Sequence, residues 1–204
     1  MAQVKKEELR KRILKEAKGI FLKKGFRGAK MREISGKVRC SLSNLYNYYP
    51  SKDHILLALM EDRVKEVRNA LQFAGSIRPP EGKIIVSYKE DKKRITEVVK
   101  YLHRNREDLC LLFVKSEGSV LESFKEEVVE SYAEVWFNHL KYLEKKYPRK
   151  KRQKISRFFI YNISRFYIDT LIDFLKRGLG YEDMMKYAME MTTYSYYGCL
   201  ALMK

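Results

Sequence analysis

The chain has little of what a β-sheet protein needs. Its 204 residues include only 10 Gly and 4 Pro, and long stretches contain neither. Tight turns draw heavily on these two residues. Their scarcity argues against a hairpin-rich fold and predicts an all-α one. Cysteine is sparse as well. Cys40, Cys110 and Cys199 are widely spaced. No pair has metal-ligand spacing, and an odd count argues against a disulfide framework. They are read as reduced, mostly buried thiols. The only histidines are His54, His103 and His139, each on a different predicted helix. No Ser/His/Asp or paired-carboxylate arrangement falls at useful spacing. The chain is therefore expected not to be an enzyme, and neither a cofactor nor a metal site is expected. Long uncharged apolar runs are also missing. The most apolar stretch, Phe158 to Leu175, contains Asn162, Arg165, Asp169 and Asp173, each costly at a bilayer centre. The basic N-terminal segment lacks the apolar region of a secretory signal. A cytoplasmic protein with no membrane partner is expected.

Positive charge, by contrast, is abundant and unevenly placed. The net charge is +17. Between Met1 and Asp53 there are 15 Lys/Arg and 5 Asp/Glu, a net of +10, so the other 151 residues share +7. A phosphate-binding surface requires such a concentration. The apolar fraction of 45% is enough for a proper core, which argues against global disorder.

Helical periodicity organises the chain. A first helix is expected from about Lys5 to Lys24, with Leu9, Ile13, Ala17, Ile20 and Phe21 on one face. Gly25 is expected to end it in a left-handed cap, with Phe26 packing back on Phe21. A second, short helix covers about Lys30 to Lys37 and lacks a good N-cap, because Ala29 has no side-chain acceptor. A turn, Val38-Arg39-Cys40, leads into a third helix from about Ser41 to Tyr49, which Pro50 ends. Ser51 then caps a long fourth helix reaching about Phe73, with Asp53 in its first turn. Gly75 to Ser87 is the one clear linker. Ile84 to Val86 has strand propensity but no obvious partner. Five more helices follow: one from about Tyr88, one over Leu109 to Glu117 stopped by Gly118, and one over Ser119 to Lys146 ended by Pro148. The last two are Arg149 to Arg177, stopped by Gly178, and Tyr181 to the C-terminus. The fold class is thus all-α with about nine helices.

Residues Ala29 to Leu56 combine a short helix, a tight turn, a second short helix rich in small polar residues and a Pro-Ser-Lys stop. That is the form of a helix-turn-helix, whose second helix enters the major groove of DNA. The particular residues go further. Phe21-Leu22-Lys23-Lys24-Gly25-Phe26, Met31-Arg32-Glu33-Ile34 and Leu45-Tyr46-Asn47-Tyr48-Tyr49-Pro50-Ser51-Lys52 closely resemble the signature of the tetracycline-repressor family of bacterial regulators. The resemblance is close over roughly Lys11 to Leu59; beyond that only helix number and lengths agree. It implies a DNA-binding domain over residues 1–52, with the motif at about 30–49, and an effector-binding and dimerisation domain over 53–204.

Three departures from the family pattern matter. Arg39 stands where the family usually has Gly in the turn, and a non-Gly residue at positive φ costs about 1 kcal/mol. Ala29 and Lys30 replace the usual Thr pair. Leu42 stands where a polar residue is common, and could read a thymine methyl by apolar contact.

The resemblance makes Tyr46 and Lys52 phosphate contacts, which position the protein without reading sequence. Ser41, Leu42, Ser43 and Asn44 occupy the first turn of the recognition helix, which meets base edges in such folds. Asn44 can pair with adenine, bond a phosphate or cap locally. Lys30, Arg32 and Asn47 complete the expected DNA-contacting set, while Leu45 and Tyr49 are expected in the core.

In the second half, Tyr132, Trp136, His139 and Leu143 share one face of the seventh helix; Phe158, Tyr161, Arg165 and Ile168 share one of the eighth. Aromatic faces with isolated polar groups suit a small-molecule pocket as well as an ordinary core. Tyr132, Trp136, His139, Tyr161 and Arg165 are the candidate effector contacts, for a small, largely apolar or aromatic molecule. Arg165 and Asp169 are also spaced to pair. The run Arg149-Lys150-Lys151-Arg152 reads as a solvated loop. Helices eight and nine are apolar on more than one face. A stripe of small residues, Ala188, Thr192, Ser195 and Cys199, beside a larger stripe, Met184, Tyr187, Met191 and Tyr194, suits a homodimer interface. The expectation is a homodimeric, ligand-responsive repressor of a palindromic DNA operator. The alternatives are a DNA-architectural protein without sequence preference, or an enzyme with a site hidden in the helical core.

Overall fold

The computed structural model describes residues 2–81, 83, 85–146 and 154–203. Among these residues run nine helices and no strand. They are α1 (Ala2–Gly28), α2 (Met31–Val38), α3 (Leu42–Tyr48), α4 (Lys52–Ser76), α5 (Tyr88–Arg104), α6 (Arg106–Phe113), α7 (Phe124–Lys146), α8 (Arg157–Arg177) and α9 (Tyr181–Met203). The all-α reading therefore holds. Gly82, Ile84, Pro148 and the basic run Arg149-Lys150-Lys151-Arg152 lie outside the described residues. No helix among the described residues is long and apolar enough to cross a membrane.

The chain divides into two compact units: Met1–Glu66 with Glu107–Lys125, and Val67–Arg106 with Glu126–Lys204. The division between these units falls inside α4, and α6 joins the first unit. Side chains on α6 are the reason. Asp108 pairs with Lys18 at 2.6 Å and with Arg63 at 3.4 Å, and Leu109, Leu111 and Leu112 are buried. None of these partners is adjacent in sequence, so periodicity alone could not assign α6.

In the first unit, Ile13, Ala17, Ile20 and Phe21 form the buried face of α1. Gly25 breaks that helix, but not as a left-handed cap. Its φ of 71° and ψ of 166° fall in a region open essentially to glycine alone. Phe26 does fold back on Phe21, with ring centroids 5.7 Å apart, and its N–H donates to the Lys115 carbonyl at 2.7 Å. The Schellman ending occurs one helix later, at α2. Arg39 adopts φ 56°, ψ 48°. Its N–H bonds the Gly36 carbonyl at 3.2 Å, and the Cys40 N–H bonds Ser35 at 3.1 Å, the two bonds that define the motif. α6 stops at Phe113, short of the expected Glu117, and turns carry the chain to α7 at Phe124 instead of Ser119.

In the second unit, a Ser87–Glu90 capping box opens α5, and Ile85 and Val86 are not in a strand. α8 begins at Arg157, eight residues later than expected. Ser156 is its N-cap, accepting the Phe159 N–H at 3.1 Å. Gly178, at φ 71° and ψ 30°, ends it in the left-handed conformation. The most extensive helix pairing in this unit is α5 with α9.

Candidate nucleic-acid interface

The helix-turn-helix is built from short-range signals. Ile34 and Val38 of α2 and Leu45 of α3 are buried, as is Tyr49 just beyond, which fixes which faces of the two helices point outward. No side chain caps α2 at Lys30, as the Ala29–Lys30 departure predicts. Ser41 is the N-cap of α3, accepting the Asn44 N–H at 3.1 Å. Its hydroxyl therefore already serves the helix. Lys30, Arg32, Ser43 and Asn47 are exposed, and Leu42 and Asn44 half-buried. Tyr46 keeps 45% of its surface exposed, a large phenol with its face to solvent. The outward surface of α3 thus offers hydroxyl, amide and phenol groups beside cations of α2.

Lys52 behaves differently from a free surface cation. Its ammonium donates to the carbonyls of Phe26 and Ala29, both at 2.8 Å, and sits 4.4 Å from the centroid of the Phe26 ring. Burial pushes its pKa down, with the adjacent Asp53 carboxylate offsetting part of that. Two of its three N–H donors close the junction between α1 and α2, leaving one for a phosphate. Asp53 in turn accepts the Val120 N–H at 2.9 Å.

Beside Tyr46 and Lys52 lies a hollow of about 570 Å³, lined also by Phe26, Arg27, Met31, Pro50, Ser51, Asp53 and Gly118. Arg27 was not expected here. Its guanidinium pairs with Glu117 at 3.0 Å, and no local pattern connects residues so far apart in sequence.

These outward groups belong to a known kind of reading head. Residues 13–59 match the family model described as bacterial regulatory proteins, tetR family. This domain belongs to the tetR family. Solved structures of regulators agree over most of the chain. NalD from Pseudomonas aeruginosa, the secondary repressor of the MexAB-OprM multidrug efflux pump, superposes with a TM-score of 0.61 at 16% identity, over 92% of this chain and 96% of that one. FadR from Bacillus subtilis, in complex with stearoyl-CoA, gives 0.57 at 10% identity, over 89% and 96%. A TerR/AcrR-family regulator from Aquifex aeolicus VF5 gives 0.54 at 16%, over 91% and 98%. At such identities the likeness is one of fold. No curated protein matches the sequence.

The chain carries its other candidate residues in the second unit, and they do not form one site. The Tyr132 phenol is pushed up by burial and accepts a hydrogen bond from Trp136. Tyr167, close enough to Tyr132 and Cys199 to feel their charge, is pushed up to about 12 by burial, against the pull of its hydrogen bond to Ser195. His139 meets Trp136 edge-on, ring centroids 6.0 Å apart. Tyr161 and Arg165 have other company. Arg165 bonds Glu126 of α7 with both amino groups, one at 3.1 Å, and the Tyr161 hydroxyl at 2.7 Å. A hollow of about 450 Å³ between α7 and α8 is lined by Glu130, Ala133, Glu134, Phe137, Arg157, Phe158 and Tyr161. Of the five candidate effector contacts, only Tyr161 lines it.

The small-residue stripe of α9 is partly covered within its own unit. Ala188 is 1% exposed, and the Ser195 hydroxyl is taken by Tyr167 and the Met191 carbonyl. Thr192 and Cys199 are half-buried on the same side, and burial pushes the Cys199 thiol up. The stripe faces its own unit, because small side chains let neighbouring helices approach as closely within a chain as between chains. The outward face of α9 carries Tyr187, Tyr194 and Tyr197, and that of α8 carries Phe159 and Phe166.

Proposed function

We propose that the chain is a ligand-responsive transcriptional repressor that binds a palindromic operator as a homodimer. A small, largely apolar or aromatic effector in the second unit releases it. The carrying observation is the first turn of α3 in a tetR-family domain. Ser43 is exposed there, as is Asn47 one turn on, and the Asn44 side chain has no hydrogen-bond partner among the described residues. Asn44 is then the base reader, with Tyr46, Lys30 and Arg32 positioning the head on phosphates. Net charge of +10 on residues 1–53 supports the same surface.

The dimer reading rests on the aromatic face of α8 and α9. Tyr194 is 71% exposed, and Tyr197, Phe166 and Phe159 are also in water, as a surface awaiting a second copy would be. The effector reading draws on the relatives: one carries stearoyl-CoA, and another is the repressor of an efflux pump. Two reading heads must sit about 34–36 Å apart, one turn of DNA or a multiple. A small pivot therefore suffices to abolish binding, for a coupling of about 1–3 kcal/mol.

The test is selection of bound sequences from random DNA by the full chain at fixed salt, repeated with Asn44→Ala and Tyr46→Phe. A palindromic consensus is expected. Asn44→Ala should change preference at particular base pairs, whereas Tyr46→Phe should weaken all sequences alike. No enrichment over random DNA would refute the reading in favour of architectural binding. Repeating the selection with a metabolite panel identifies the effector.

A further inference from the structure

Arg27 lies in the last turn of α1, on the hollow that Tyr46 and Lys52 also line. Its side chain is 71% exposed, as is 67% of that of Glu117, whose carboxylate it meets at 3.0 Å. Glu117 belongs to the turns between α6 and α7, and these turns are held against the reading head. The Lys115 carbonyl accepts the Phe26 N–H at 2.7 Å, and the Val120 N–H donates to Asp53 at 2.9 Å. Gly118 fits there because it has no side chain. Its φ is 81°, and a Cβ would stand 3.2 Å from Arg27 Nε.

The charged groups around the hollow are not equally committed. Lys52 uses two N–H donors on carbonyls, and Asp53 accepts the Val120 amide. Both are tied to backbone. Arg27 is held by another exposed side chain. Ion pairs between exposed partners are weak, because solvent screens them and both chains lose rotamer freedom. A DNA phosphate offers the guanidinium fork the same pair of oxygens that a carboxylate does. It also arrives with neighbouring phosphates that add to the attraction. Glu117 therefore occupies Arg27 in the way that a phosphate would.

We propose that Arg27 is a further phosphate contact for DNA, and that Glu117 is an internal phosphate mimic that competes for it. The inference rests on the DNA-binding reading above and adds a contact to the same surface. In the free protein the guanidinium lies on Glu117. On DNA it exchanges that carboxylate for a phosphate beside the one met by Tyr46. Glu117, once released, takes up a counterion as the phosphate gives one up. The exchange is then nearly neutral in ions, so Arg27 adds affinity but little salt dependence. Glu117 thus sets the affinity for DNA from outside the helix-turn-helix.

The test is a double-mutant cycle in the full chain, with Kd measured against salt on the selected operator and on a random duplex. Glu117→Gln is expected to lower Kd about fivefold on both DNAs alike and to steepen the salt slope by about one. Arg27→Ala should raise Kd about threefold in the parent. In the Glu117→Gln background it should erase both the gain in affinity and the added slope. Because both side chains are exposed, all variants should keep the parental melting temperature. If Glu117 only repels phosphates, its substitution gives the same gain with or without Arg27, and the competition is refuted. If the pair only braces the α6–α7 turns, Glu117→Gln weakens binding and lowers the melting temperature, which also refutes it. A phosphate contact carries no base information, so the cycle can be read on random DNA even where no operator is selected. Absence of sequence preference therefore overturns the repressor reading alone, and a cycle without coupling overturns this one alone.

Discussion

Lys52→Met removes the ammonium that bridges two carbonyls while keeping most of the apolar stem. Both hydrogen bonds are 2.8 Å long, and the charge lies 4.4 Å from the Phe26 centroid. Hydrogen bonds to charged groups contribute about 1.5–3 kcal/mol each. A cation over a ring adds about 0.5–1 kcal/mol. These terms do not add fully, since one ammonium makes all three contacts. The side chain is half-buried, so water can reach the freed carbonyls in the variant. A loss of about 2–3 kcal/mol is expected from these magnitudes. In a protein of this size that lowers Tm by roughly 4–12 °C. Urea unfolding followed by circular dichroism gives the stability. Operator affinity against salt gives the number of phosphates neutralised. A structural clamp predicts the stability loss with the salt slope nearly kept. A free phosphate ligand predicts parental stability and a slope smaller by about one. Unfolding of Lys52→Met within about 0.5 kcal/mol of the parent would refute the clamp.

Arg39→Gly should stabilise the protein by about 1 kcal/mol in the same urea assay, because the left-handed conformation burdens any side chain; a loss of stability would mean that Arg39 makes contacts outweighing its strain. Tyr194→Asp should dissociate the dimer in sedimentation at micromolar concentration and weaken operator binding, while Ala188→Gly should leave the assembly mass unchanged; the reverse pattern would restore the small-residue stripe as the interface. Arg68 bonds Glu127 at 2.7 Å and 2.9 Å, and this holds the Glu127 carboxyl below its ordinary value. A depressed carboxyl stabilises fully above the unfolded value, near 4.5, and ceases to as pH falls through the folded one. Both partners are largely exposed, so solvent screening limits the pair to at most about 1 kcal/mol. Glu127→Gln should therefore be slightly less stable than the parent at neutral pH and converge with it in acid; a gap that widens on acidification would refute the pairing.

The reading head was legible because its signals are local. Gly25, Phe26, Ser41, Pro50 and Ser51 act within one helical turn of themselves, and burial of Ile34, Val38 and Leu45 follows from spacing along α2 and α3. Even the departure at Arg39 was visible, and it takes the left-handed conformation that its position demands. Arg27 was not legible, nor was the clamp made by Lys52, because their partners come from distant segments. In the second unit, periodicity located α8 and α9 but could not say which apolar stripe faces inward. Both stripes satisfy the same spacing, and only partners distant in sequence, such as the Tyr167 hydroxyl that meets Ser195, distinguish them.

Composition, charge placement and capping residues by themselves determined an all-helical chain with a basic helix-turn-helix near its N-terminus. They act over a few residues, where sequence distance and spatial distance are nearly the same. Tertiary structure alone decided that α6 belongs with the first unit, that Arg165 meets Glu126, that Ala188 turns inward, and that Glu117 comes to Arg27. Each of these depends on the approach of helices far apart in the chain, where many pairings satisfy the same apolar periodicity and only the simultaneous packing of all the side chains selects one.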